Sequence, residues 1–132
     1  ILGKLADKDP GAIMPFVNRL IDGLAALGND STIRSVLRIL SLTELSGIDS
    51  RRHGLLADYC FSTLNSGYSP IAARAYSMEI VYNLVQIYPE LTNELVLSLG
   101  LIRESDSAGI RARGRMILKK LPGGAKDRES SL

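Results

Sequence analysis

The apolar residues of this chain recur at the spacing of one face of an α-helix. In the first clear segment they fall three or four residues apart, at Ile13, Phe16, Val17, Leu20, Ile21 and Leu24. This spacing follows the 3.6-residue turn of an α-helix, whereas a half-buried strand would alternate apolar and polar residues. No such alternation with hairpin turns occurs along the sequence. The pattern therefore predicts an all-α chain.

Capping residues and helix breakers divide the chain into about six helices. Asp9 and Pro10 mark the first start, because Asp can cap free backbone N–H groups and Pro fits the first helical turn. Leu27-Gly28 ends that helix. Later helices are predicted to begin near residue 31, after residue 50, and at residues 70, 89 and 107. Pro122-Gly123-Gly124 ends the last one.

The even-numbered helices repeat one another. Arg34, Arg74 and Arg111 stand in the second, fourth and sixth helices, separated by 40 and 37 residues. Five residues before each of them lies a capping type of residue, namely Asn29, Ser69 and Asp106. A period near 40 built from helix pairs is typical of HEAT and armadillo arrays.

These segments resemble HEAT repeats, whose second helix typically carries an Asp, then Val/Ile-Arg, then small residues. The stretches "AARAYSMEIVYNL" and "SAGIRARGRMILKKL" are most similar to a group of small bacterial HEAT-repeat proteins, some of which are labelled adenylosuccinate lyase. That lyase family has a Ser-rich catalytic loop and catalytic His residues in much longer chains, whereas this sequence has one His. The resemblance implies a short right-handed α-solenoid of about three HEAT-like helix pairs.

The resemblance also suggests the domain organisation. Residues 1–121 are expected to form one domain with pairs at about 9–46, 47–88 and 89–121. Residues 1–8 are interpreted as the remnant of a preceding helix, and residues 122–132 as a polar, disordered tail. Because a solenoid repeat relies on its neighbours to bury its apolar face, the N-terminal end is expected to pack on further sequence, a partner or a second copy.

Composition and charge narrow the function classes. The net charge of +2 on 132 residues gives no strong overall field that would collect nucleic acid. The single cysteine excludes an intramolecular disulfide, and no apolar run is long enough for a membrane span. The sequence therefore predicts a cytoplasmic protein that does not insert into a membrane.

Residues able to carry chemistry are few. His53 and Cys60 are the only His and Cys, so they cannot complete a zinc site, and His53 lacks the neighbours of a catalytic base. We interpret His53 as a surface or capping residue and Cys60 as a buried small hydrophobe. No catalytic residue, metal or cofactor is predicted.

The repeated arginines have two interpretations. They could be three anion contacts, or each could bond a carboxylate or loop carbonyl at its own helix start or at that of the next repeat. Recurrence in phase with the repeat favours a structural ladder of Arg34, Arg74 and Arg111.

The last predicted helix has an apolar face on one side and basic residues around much of the other. Its apolar face comprises Ile110, Gly114, Ile117, Leu118 and Leu121, and cations occupy much of the remaining circumference. This pattern fits a capping helix with a solvated outer side, since cations near a helix C-terminus also favour its dipole. The alternative is a phosphate-binding surface. The fourth helix contrasts with it, because apolar residues surround all but a narrow polar stripe.

The predicted function is a non-catalytic scaffold that binds an unidentified protein or peptide through the inner faces of the second, fourth and sixth helices. The candidate contact residues are Arg38, Tyr76, Glu79, Asn83, Arg115, Lys119 and Lys120. The alternative is a nucleic-acid-binding accessory protein that uses the basic patch of the last helix. An enzyme is the third possibility.

Overall fold

The computed structural model describes residues 10–103 and 106–121, and within them the chain forms helices and no strand. The six α-helices are α1 (Pro10–Gly23), α2 (Asp30–Ser41), α3 (Ser50–Asn65), α4 (Ile71–Ile87), α5 (Thr92–Gly100) and α6 (Ala108–Lys120). Single 3₁₀ turns follow α1 at Leu24–Ala26 and precede α5 at Pro89–Leu91. The all-α class is confirmed.

Local capping explains where several helices begin. The Asp49 carboxylate accepts the backbone N–H of Arg52 at the start of α3, and the Ser107 hydroxyl accepts that of Ile110 at the start of α6. These side chains satisfy N–H groups that have no partner inside the helix. Asn29 caps α2 in the same way, so that helix begins at Asp30, one residue before its predicted start.

The helices stack in two layers with α4 at the centre. In one layer α3 contacts both α1 and α5, and in the other α4 contacts both α2 and α6. Because α4 also packs on α3 and α5, it buries most of its circumference. The predicted buried fourth helix is confirmed, as is the short all-α solenoid. The repeat boundaries at 9–46, 47–88 and 89–121 stay a prediction.

The core is continuous across the pairs. Its fully buried large side chains include Leu37, Leu40, Leu56, Met78, Leu84, Leu95, Ile110 and Ile117. Cys60 belongs to this core, and burial raises the pKa of its thiol to about 12. The interpretation of Cys60 as a buried hydrophobe is confirmed.

The interpretation of His53 as a surface or capping residue is wrong. His53 is only 4% exposed, and Asp49 rather than His53 caps α3. Its Nε2 donates to the Leu45 carbonyl at 2.6 Å, because a carbonyl can only accept. Its Nδ1 lies 2.8 Å from the Tyr88 hydroxyl, which in the neutral ring donates to it. The ring therefore joins α3 to the loop after α2 and to the end of α4.

Two sequence predictions lie outside the described residues. They are the helix remnant at 1–8, with the self-association expected there, and the disordered tail at 122–132. No helix among the described residues has the length and apolar character needed to cross a membrane. The described ranges also contain no group of three or more His, Cys, Asp or Glu side chains arranged to hold a metal ion.

Candidate functional site

Arg74, one of the three repeated arginines, joins the second helix pair to the third. Arg74 of α4 is 8% exposed, and its Nη1 donates to Asp106 Oδ1 at 3.0 Å. The second oxygen of Asp106 accepts the backbone N–H of Arg103 at 2.7 Å. The hydrogen bond from Arg74, followed by that from Arg103, holds the pKa of Asp106 below its ordinary value. Arg74 therefore fixes the segment that leads into α6.

The other two arginines of the set do not repeat this contact. Arg34 is exposed and makes no ion pair within the described residues. Arg111 is half-buried, and its Nε is buried without a hydrogen-bond partner. Among the described residues this contact exists only at the central position, although a helix pair also follows Arg34.

Part of the polar side of α4 faces α6. Glu79 Oε1 accepts Arg113 Nη1 at 3.2 Å, and Lys120 Nζ lies 5.6 Å from the centroid of the Tyr82 ring. The first contact is an exposed ion pair and the second a cation–π contact. These residues therefore connect neighbouring helices as well as facing solvent.

Between these two contacts lies a groove of about 220 Å³, here called the α4–α6 groove. It is lined by Glu79, Gly109, Ala112, Arg113, Met116, Ile117 and Lys120. Gly109 and Ala112 leave space because their side chains are small, and Met116 remains 57% exposed. The lining of the groove therefore combines small and apolar residues with charged ones.

A second depression lies between the C-terminal ends of α2 and α4. Asn83 Nδ2 donates to the Ser41 carbonyl at 3.3 Å, and both residues line this depression of about 350 Å³. Leu42 in its wall is 70% exposed. Asn83 is therefore partly used in joining the two helices.

Comparison with known proteins identifies the family. A family model for the HEAT repeat domain matches residues 1–121. The chain belongs to the HEAT repeat family. Neither the curated proteins nor the solved structures gave a match. HEAT repeat domains generally serve as protein-interaction scaffolds and are typically non-catalytic.

The structure brings only some of the predicted contact residues of this HEAT repeat domain together, and their role in binding stays a prediction. Glu79 and Lys120 meet in the α4–α6 groove, and Asn83 lies in the depression beside α2. The remaining candidates line neither of these two surfaces: Arg38, Tyr76, Arg115 and Lys119.

Sequence reasoning missed the apolar part of the groove. Gly109, Ala112 and Met116 follow one another at helical spacing on the side of α6 away from its core face. That spacing could have indicated an apolar strip on the outer side of α6. The cations that lie between these residues in the sequence led us to interpret the whole outer side as solvated.

Proposed function

We propose that this HEAT repeat domain is an interaction scaffold that binds an acidic, amphipathic segment of a partner protein in the α4–α6 groove. The observation that carries the proposal is the exposed Met116 side chain in a groove that Arg113 and Lys120 also line. Amphipathic segments commonly bind by placing apolar anchors in such grooves.

The charge of the surface supports an acidic partner. Residues Ala108–Lys120 include five Lys and Arg and no Asp or Glu. Glu79 pairs with Arg113, whereas Lys120, Arg115 and Lys119 form no ion pair within the described residues. An acidic segment would meet this positive excess, so binding should weaken as salt is added.

The exposed Met116 side chain supports an apolar contact with the partner. Methionine is flexible and polarizable, and it is frequent at binding surfaces that accommodate varied side chains. Exposing it costs hydrophobic free energy that a partner side chain would recover. The groove thus offers an apolar contact at Met116 with a charged residue about one turn to either side of it, Arg113 and Lys120.

Site-specific photocrosslinking tests the proposal. A photoreactive phenylalanine replaces Met116 in one variant and the comparably exposed Leu42 in a control, and both are irradiated in the native cell. We expect a protein crosslinked at position 116 and not at position 42. The purified partner should bind the wild-type domain, and Met116→Glu or Lys120→Glu should weaken its Kd by about tenfold or more.

Two results would contradict this assignment. One is a crosslinked partner whose Kd does not change in Met116→Glu. The other is a partner that binds through a segment without acidic residues. Melting temperatures of all variants serve as the folding control.

Nucleic-acid binding is the second candidate function. It is favoured by Arg115 and Lys119, which are exposed and project from α6 without an ion-pair partner in the part of the chain that is described. Lys and Arg side chains that contact phosphates would bind nucleic acid without sequence preference.

A further inference from the structure

A separate cleft lies at the edge of the domain where the loops after α3 and α5 meet. Its volume is about 360 Å³, and Tyr68, Leu101 and Arg103 are among the residues that line it. Arg74 and Asp106, the pair that joins α4 to the segment before α6, lie in its wall. We call this the loop-edge cleft, and none of its described lining residues also lines the α4–α6 groove.

Among the residues that the structure describes, the lining of the loop-edge cleft carries more positive than negative charge. Arg74 and Arg103 both line it, against the single described carboxylate of Asp106. Arg74 is more than nine-tenths buried, and its Nε has no hydrogen-bond partner. Both oxygens of Asp106 already accept hydrogen bonds within the protein, from Arg74 and from the backbone of Arg103. Burying the Arg74 Nε–H without an acceptor costs free energy. The positive charge of the guanidinium also favours an anion in the cleft.

The Arg103 guanidinium is the accessible cation. Its Nη2 lies 4.0 Å from the position that a Cβ atom on Gly67 would occupy, so the side chain reaches across to the loop after α3. Only the backbone of Arg103 donates to Asp106, and its guanidinium bonds no acceptor among the described residues. A guanidinium in this position can donate two parallel hydrogen bonds to a carboxylate.

Exposed apolar side chains stand beside this cation. Tyr68 is fully exposed, so its ring contributes nothing to the packing of the fold. Leu101 is 67% exposed in the same cleft, and Leu97, one helical turn earlier, is 72% exposed. Tyr and Arg are enriched in the centres of protein interfaces, because each joins a large contact area to a polar group.

We propose that the loop-edge cleft binds a short segment of a partner protein that presents a carboxylate next to an apolar or aromatic side chain. The carboxylate pairs with Arg103, and the buried Arg74 adds positive potential behind it. The apolar side chain packs on Tyr68 and Leu101. The loop-edge cleft and the α4–α6 groove are separate surfaces, so binding at one does not depend on binding at the other.

Selection from a phage-displayed library of random peptides on the purified full chain tests this proposal. We expect enriched peptides to place Asp or Glu within two positions of an aromatic or large aliphatic residue. A synthetic peptide of the enriched sequence should bind about tenfold or more weakly to Arg103→Glu and to Tyr68→Ser. Its affinity for Arg115→Glu should match that for the wild type, since Arg115 lies on α6 away from the cleft.

The Tyr68 and Arg103 substitutions should change peptide binding without unfolding the protein. Tyr68 and Arg103 are exposed, and matching melting temperatures would show that the fold is kept. The proposal is overturned if no peptide is enriched over a selection without the protein, or if the enriched peptides lack acidic residues. It is also overturned if both variants bind like the wild type, or if Arg115→Glu alone abolishes binding.

Discussion

At the scale of single residues, buried polar groups join one helix pair to the next. His53 connects α3 with the Leu45 carbonyl and with Tyr88 at the end of α4. Arg74 connects α4 with Asp106 before α6. Because these groups are removed from water, loss of one partner leaves the other without a hydrogen bond.

The first prediction concerns the repeated arginines. Arg74→Ala should lower the melting temperature by several degrees more than Lys120→Ala does, because Arg74 is buried and bonded whereas Lys120 is exposed. Arg34→Ala is the matched control, since Arg34 has the same repeat position but is exposed. Equal shifts in thermal unfolding for Arg74→Ala and Lys120→Ala would contradict a structural role for Arg74.

The second prediction concerns pH. The pKa of Asp106 is lowered from 3.8 in the folded protein, mainly by the Arg74 hydrogen bond. A lowered pKa adds stability above pH 3.8 that is lost as the pH falls through the folded value. The stability difference between wild type and Asp106→Asn should therefore be greatest near neutral pH and shrink in acid. Melting curves at several pH values measure this, with the exposed Asp58→Asn as control; a difference that grows in acid would contradict it.

At the scale of helices, α4 and α6 differ in how much of each helix is covered. Neighbours on several sides bury α4, whereas α6 keeps an exposed basic side and buries one face through Ile110, Gly114 and Ile117. Because Gly114 has no side chain, α6 lies close to Leu99 in α5 and to Ile102 just after it. A Cβ atom built there would lie 2.9 Å from Ile102 Cδ1 and 3.7 Å from Leu99 Cδ2.

The third prediction compares two helical glycines. Gly54→Ala should stabilise the protein by about 0.5–1 kcal/mol, because Ala favours helix and nothing lies within 4 Å of the new Cβ. Gly114→Ala should gain less, since Ile102 must move, and Gly114→Leu should destabilise by about 1–3 kcal/mol through overpacking. Chemical denaturation measures all three. If Gly114→Leu were as stable as wild type, α6 would not pack this closely on Leu99 and Ile102.

At the scale of the whole molecule, charge is distributed unevenly around a nearly neutral protein. The net charge is +2, yet five Lys and Arg stand on α6. The α4–α6 groove and the loop-edge cleft each combine cations with exposed apolar side chains. This combination suits acidic protein segments better than a nucleic-acid backbone, which presents phosphates without apolar anchors.

The fourth prediction separates the two candidate functions. Binding of the purified chain to duplex DNA at physiological salt should be no tighter than generic non-specific binding, with a Kd of about 10⁻⁴ to 10⁻⁶ M. Fluorescence anisotropy over a salt series measures it. A nanomolar complex that is abolished by charge reversal at Arg115 and Lys119 would instead favour nucleic-acid binding.

The spacing of apolar and capping residues was enough to predict the helices and their order. Their starts depend on local chemistry, as at Asp49 and Ser107, where a side chain caps backbone groups three residues ahead. Apolar spacing identified the core faces of α4 and α6 for the same reason, since neighbours on a helix surface are close in sequence. The recurrence of Arg34, Arg74 and Arg111 then indicated the repeat.

Which polar residues are buried and which surfaces remain open could not be predicted in this way, because both depend on how the helices pack. His53 is buried because Tyr88, 35 residues away, and the Leu45 carbonyl enclose it. Arg74 is bonded and Arg34 is exposed, although both occupy the same repeat position. The grooves beside Met116 and Tyr68 likewise depend on the distances between helices and loops. Helical spacing is local, whereas burial and shape depend on residues far apart in the chain.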